Sequence, residues 1–433
     1  MMSKTTHDPY LTAYPALADS LPGRELPWLQ TLRGEALQAF GERGFPGHRE
    51  EEWRYTDLSA LSKTVFAPTT GQAVDVAWLS QYRLEDAISV VLVNGRFAAD
   101  LSCIDADAGA VTVSSLKDLL TETPAVLEGR LGQAVTTAEH SLVAFNNAWF
   151  GDGVVIEVAA KQALDKPLQI LHVVTETNAL AATRNLIIVN DRADAVFIET
   201  YVGSVDSYFS ASVNECLLGR NAGLTLYKVQ LEAEKARHFG GTYVKQAPDS
   251  RFVHHNFALG SLLARSDIHS DLDKASECTL NGLFVASGRQ HLDNHTRINH
   301  LQPHGISREY YKGVLDNRAR GVFQGRVIVA EGAQHTDSDM NNRNLLLSAD
   351  AEVDSKPQLE IYNDDVKCSH GVTVGQLEEK SVFYLQSRGV DEATARNILT
   401  FAFANEMVDK VENAELKGLL LKELLQRFPA ISL

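Results

Sequence analysis

No stretch of this 433-residue chain approaches the run of about 18 apolar residues that a membrane-spanning helix needs. Met1 to Pro22 is polar and interrupted by prolines, without the apolar centre of a secretory signal, so a cytosolic (cytoplasmic) protein is expected. Surplus positive charge is missing too. With 40 Lys and Arg against 56 Asp and Glu the net charge is -16, which argues against a nucleic-acid or anionic-membrane partner, either of which needs a concentrated basic surface. Four cysteines, at 103, 216, 278 and 368, are too few and too scattered for a disulfide framework or a four-thiolate cluster site. There is no Gly-x-x-x-x-Gly-Lys-Ser/Thr phosphate loop, no Gly-x-Gly-x-x-Gly after a strand and no Gly-x-Ser-x-Gly. Nucleotide hydrolysis and dinucleotide binding therefore have no standard motif behind them.

What is present falls into three parts. Residues 1–88 read as helices joined by Pro and Gly breaks, for example Leu26 to Phe40, ended by Gly41 and the Gly44-Phe45-Pro46-Gly47 turn. Residues 89–375 read as short β runs, among them Ser89 to Val93, Gly109 to Val113, Val154 to Val158, Leu168 to Val174, Asn185 to Val189 and Ala195 to Tyr201, with a helical interruption near 115–150. So long a helix-poor stretch excludes a doubly wound α/β domain, whose strands alternate with crossover helices of about 10 to 15 residues. A sandwich, a barrel or a β-solenoid all stay open, because no fixed short repeat singles out one of them. Asn281-Gly282, Lys312-Gly313 and Gln324-Gly325 are expected at corners between stacked strands or in hairpins. Residues 376–433 read as helical again. Asp391 is expected to cap a helix whose apolar stripe is Ala395, Ile398, Leu399, Ala402, Phe403, Met407 and Val411, and a second stripe runs from Leu416 to Phe428.

The most specific chemistry lies in Asp364-Asp365-Val366-Lys367-Cys368-Ser369-His370-Gly371. On an extended strand, residues i and i+2 face one way, roughly 6 to 7 Å apart, so Cys368 and His370 present a thiol and an imidazole together. Both suit iron, yet two ligands do not complete a site; a small buried hydrophobe beside a satisfied strand histidine is the structural alternative. The cluster His291, His295, His300 and His304 contains the i, i+4 spacing of a helical zinc pair. Thr296, Ile298 and Pro303 favour a strand instead, on which i and i+4 stand roughly 13 Å apart. His335, Asp337 and Asp339 would share one face if that segment is extended; Asp364 and Asp365 would face opposite ways. Tyr310, Tyr311 and Phe323 could line a sugar-stacking groove, which keeps a β-solenoid carbohydrate-active enzyme or binding protein as the alternative reading.

Several ordered segments carry a resemblance. Gln302-Pro303-His304-Gly305-Ile306-Ser307-Arg308-Glu309-Tyr310-Tyr311-Lys312-Gly313-Val314-Leu315, Val322-Phe323-Gln324-Gly325-Arg326-Val327, Ala333-Gln334-His335-Thr336-Asp337, Pro357-Gln358-Leu359-Glu360-Ile361-Tyr362 and Phe383-Tyr384-Leu385-Gln386-Ser387-Arg388-Gly389 resemble the SufB/SufD family of iron-sulfur cluster assembly proteins. Weaker echoes occur at Trp53-Arg54-Tyr55-Thr56 and at Asp152 to Ile156. Arg343-Asn344 is followed by Leu345-Leu346-Leu347-Ser348, where the SufB branch carries a cysteine, and Cys368-Ser369-His370-Gly371 stands where SufB has a Glu-His-Glu-Ala type segment; both departures point to the SufD branch.

The resemblance implies a mainly β fold, a right-handed parallel β-helix flanked by helical N- and C-terminal domains. It implies a non-catalytic scaffold subunit that pairs with SufB through the β-helix and docks the SufC ABC-type ATPase through the C-terminal helices. Phe383, Tyr384, Arg388, Gly389, Phe403 and Glu406 are its expected docking residues. His370, with Cys368 beside it, would supply interface ligands to a transient iron-sulfur cluster shared with SufB, and the chain would support iron acquisition and meet sulfur-donor proteins through the complex. No cofactor is expected to stay tightly bound to the isolated chain, which could pair with itself as a homodimer.

Overall fold

Ten-residue strands recur through the middle of the chain, rich in β-branched, aromatic and small residues that suit a pleated surface, and several are buried along nearly their whole length. The computed structural model describes residues 8–71, 73–104, 109–135 and 140–429. From Val154–Val158 onward successive strands alternate between two sheets, and each pairs in parallel with the strand one full turn later. The result is a parallel β-solenoid of about 8 turns. Side-chain ladders link neighbouring turns: Asn185 Nδ2 donates to Asn214 Oδ1 at 2.8 Å across 29 residues, and Ser307 Oγ to Ser338 Oγ at 2.8 Å across 31. Among the described residues no helix is long and apolar enough to cross a membrane.

The corners are not where Asn-Gly and Lys-Gly pairs suggested. Asn281-Gly282, Lys312-Gly313 and Gln324-Gly325 lie inside the strands Glu277–Ala286, Ile306–Leu315 and Arg320–Val329. A Cβ on Gly282 would strike the Tyr311 ring of the next turn, one on Gly313 the Phe284 ring of the turn before, and one on Gly325 the Met340 sulfur. These glycines make room for large interior side chains. One line of corners instead uses Arg192, Asn221, Asp249, Ala275, His304 and His335, all with left-handed φ between 55° and 65°. Each of their N–H groups donates to a carbonyl of the following turn, as Asn221 does to Pro248 at 3.0 Å and His304 to Gln334 at 2.8 Å.

Helices from the two ends of the chain pack on the faces of the two sheets. Near the N-terminus, Pro9–Ala18 and Pro27–Arg43 pack with the wholly buried Ser141–Trp149 over Phe209, Phe239 and Tyr243 of the nine-stranded sheet. The helix expected to stop at Gly41 continues to Arg43 and ends at Gly44, whose φ is +66°. One helical glycine costs only about 1 kcal/mol, and the packing of Ala36 and Phe40 offsets it. Leu116–Glu122 and Ser141–Trp149 interrupt the strands before the regular winding begins. At the other end Glu379–Ser387, Glu392–Val408 and Ala414–Arg427 follow the last strand; the latter two pack on Tyr227, Phe257, Leu283 and Val314 of the ten-stranded sheet. Asp391 caps the second of these helices, accepting from the Thr394 N–H at 3.0 Å. Its buried face runs through Ala395, Thr400, Ala404, Met407 and Val408; of the expected stripe Ala395, Met407 and Val411 are buried, Ile398, Leu399 and Phe403 half-buried and Ala402 exposed. Thr400 can be buried because its hydroxyl donates to the Arg396 carbonyl at 2.9 Å.

Candidate functional site

The interior columns of the solenoid run out at its C-terminal end. In the ten-stranded sheet Leu280 aligns with Glu309, Glu309 with Met340, and Met340 with His370. The first three are buried and His370 is exposed, because Lys367–Gly375 is the outermost strand and no turn follows to cover it. The neighbouring column ends in the same way, with Cys278, Ser307 and Ser338 buried and Cys368 half-buried against the core. Cys368 and His370 thus share the inward-facing parity of the strand, as their spacing predicts, and Val372 continues the row. Glu352–Ile361 is the matching outermost strand of the second sheet. Both strands have one hydrogen-bonded edge open, and Ile361, Tyr362, Val372 and Val374 are 38% to 61% exposed around them. Rows of unpaired N–H and C=O groups beside apolar side chains are a template for another chain.

Chemically this end offers a partial donor set. Burial pushes the Cys368 thiol up, while the Ser338 backbone opposes the shift, so metal ligation there must release a proton. Among the described residues neither a hydrogen bond nor an ion pair engages the His370 ring, and no three His, Cys, Asp or Glu side chains stand together as a metal site. Nearby carboxylates are already engaged: Asp339 accepts from Ser369 Oγ at 2.6 Å, and Asp337 pairs with Arg308 at 3.0 Å. His335, expected on one face with Asp337 and Asp339, precedes that strand in a left-handed turn and faces Asp365 at 3.1 Å. The four histidines from 291 to 304 separate. His291 meets the Thr56 hydroxyl at 2.9 Å, His295 meets Asp293 at 3.1 Å, His300 meets Ser307 at 2.9 Å, and His304 stacks on His335. The Tyr311 and Phe323 rings meet at a tilt with centroids 5.0 Å apart inside the solenoid, fully buried, so they line no sugar-binding groove; Tyr310 lies outside and donates to Glu406 at 2.9 Å.

The six expected docking residues divide into two groups. Phe383 and Tyr384 are 70% and 58% exposed, Arg388 lies over the Tyr384 ring at 5.4 Å, and Gly389, at φ +89°, ends that helix. Phe403 and Glu406 are turned toward the solenoid instead. Lys312 Nζ sits 4.1 Å from the Phe403 ring centre, donates to the Phe403 carbonyl at 3.0 Å and pairs with Glu406.

Two polar groupings escaped the sequence reading. Arg265 lies under the Trp53 ring at 3.6 Å, donates to the Glu52 carbonyl at 2.7 Å and pairs with Asp267 at 2.8 Å and Asp293 at 3.2 Å. His140 and the Thr56 hydroxyl close the group, at 2.8 Å from Asp267 and 2.6 Å from Asp293. Burial alone would raise Asp293, but His295 and Arg265 beside it hold it down at about 2. Charges on alternate strand positions read as a solvated face; only the covering Trp53 segment turns them into a buried clamp. The second grouping lines the interior. Lys228 is driven down to about 8 by burial against the pull of Glu199 and Glu232, and Glu309 is pushed up to about 7.

Comparison with known proteins agrees with this architecture. Residues 172–403 match the SUF system FeS cluster assembly SufBD core domain, and residues 4–170 match the SufBD protein N-terminal region. An iron-sulfur cluster assembly SufBD family protein of Synechocystis is 33% identical over 413 residues, spanning 92% of this chain and 91% of its own. Escherichia coli SufD is 30% identical over 400 residues, with 91% and 92% covered, and Bacillus subtilis SufD is 24% identical over 413, with 90% and 91% covered.

Proposed function

Because this chain belongs to the SufBD family of the SUF iron-sulfur cluster assembly system, we propose that it is a SufD-type scaffold subunit without catalysis of its own. On this reading the solenoid end pairs with SufB, the helices of residues 376–433 dock the SufC ATPase, and Cys368 and His370 lend ligands to a nascent cluster that SufB completes. The cluster is cargo here, not a resident cofactor. Sulfur-donor proteins meet the chain through the complex, iron acquisition is one of its tasks, and the work takes place in the cytoplasm. The same open strand edges could pair two copies when the chain is alone.

The observation that carries this reading is the row Cys368, His370, Val372, which continues buried interior columns yet lies uncovered on an edge strand. A histidine there is a free donor beside an apolar rim, which is how a site shared across a subunit boundary would look from one side. The test is His370→Ala in the complex with SufB and SufC. The variant should melt and co-purify as the unchanged protein does, while cluster yield in anaerobic reconstitution falls at least tenfold. Unchanged yield would remove His370 from the mechanism.

A further inference from the structure

A second donor set stands at the corner that leads into the Cys368 strand. His304 and His335 occupy the same left-handed position on successive turns, with φ of +65° and +58°, and both side chains are exposed. Their rings stack with centroids 4.9 Å apart and planes at 26°. On the third turn the same rung is Asp365, whose carbonyl accepts the His335 N–H at 2.7 Å and whose Oδ2 lies 3.1 Å from His335 Nδ1. The corner itself does not require imidazoles, since Asn221, Asp249 and Ala275 fill it on earlier turns. Nor does the core, because all three side chains lie outside it.

Two imidazoles and one carboxylate, with the remaining positions open, form the donor set that suits non-haem Fe(II). Ligands about 2.1 Å from a metal and at right angles to one another lie roughly 3.0 Å apart, which is the spacing already held by His335 Nδ1 and Asp365 Oδ2. His304 stands one turn away, and no hydrogen bond fixes its ring among the described residues. The set is not closed around a metal as it stands; rotation of the exposed His304 side chain would bring in the third ligand. We propose that His304, His335 and Asp365 form a surface site for one divalent transition cation. Its use for Fe(II), held three residues before Cys368, rests on the assembly function proposed above.

The experiment titrates anaerobic Co(II), then Fe(II), into the full-length chain, following Co(II) absorption and heat of binding. The double variant His304→Asn, His335→Asn keeps residues that tolerate a left-handed turn. It should bind at least tenfold more weakly with an unchanged melting temperature. The variant Cys368→Ser, His370→Ala should retain the corner site. Equal binding by the His304/His335 variant and the unchanged chain, or loss of all binding in the Cys368/His370 variant, overturns the site. In the full complex at limiting iron, a fall in cluster yield on removing His304 and His335 supports Fe(II) delivery from this corner. An unchanged yield overturns that delivery, whereas failure of the assembly reading itself would show in His370→Ala.

Discussion

Glu309 shows how one interior side chain can set the pH response of the molecule. Its carboxyl is fully buried and pushed from 4.5 to about 7, with the Thr296 hydroxyl acting in the opposite sense. In the unfolded chain it ionises near pH 4.5, in the folded chain only near 7. Folding therefore carries no penalty from this group below about pH 4.5, and a penalty that grows up to pH 7 and then levels off. At 1.36 kcal/mol per pH unit the plateau is about 3 kcal/mol. Glu309→Gln should stabilise the chain at pH 8 by up to that amount and leave it unchanged at pH 4. Denaturant midpoints at the two pH values check this; an equal shift at both would exclude ionisation as the cause.

At the scale of strands and helices, the interior glycines decide whether adjacent turns can stack. Gly282→Ala and Gly313→Ala each drive a methyl group into an aromatic ring of a neighbouring turn and should cost about 1 to 3 kcal/mol in urea unfolding. Gly332→Ala is the control, since nothing lies within 4 Å of its added methyl, and it should be neutral within about 0.5 kcal/mol. Equal losses at all three positions would exclude the ring contacts as the cause, because Gly→Ala by itself lowers the entropy of the unfolded chain and stabilises. The strand positions themselves were legible: Val154–Val158 and Leu168–Val174 fall where short apolar, β-branched runs placed them. The corners were not. A left-handed turn held by cross-turn hydrogen bonds accepts Arg, Asn, Asp, Ala or His, so its residues carry no Gly or Pro mark.

For the molecule as a whole, the C-terminal helices present one face to the solenoid and leave another uncovered. Phe403 and Glu406 grip Lys312, whereas Phe383 and Tyr384 stand in solvent. The proposed ATPase dock therefore centres on the helix Glu379–Ser387. Phe383→Asp with Tyr384→Asp should weaken SufC binding at least tenfold, read by calorimetry, with no change in circular dichroism or melting temperature. Retained binding would move the dock elsewhere. Glu406→Ala acts differently: it leaves Lys312 without its carboxylate and should lower the melting temperature.

By itself the amino-acid sequence determined the order of helical, stranded and helical regions and the shared face of Cys368 and His370. Both follow from periods of 3.6 and 2, which neighbouring residues set among themselves. The segments from Gln302 to Gly389 also carried the family. Tertiary structure decided the rest: that Arg265, Asp267 and Asp293 are buried, that Tyr311 faces inward, that Phe403 is half-buried against Lys312 while Phe383 stands in solvent, and that His370 lies open where Met340 is closed. Each of these depends on what covers a residue, and in a solenoid the cover comes from residues about one turn away or from a distant helix. No local pattern records that distance, so burial at the end of the stack could be read only from the stack itself.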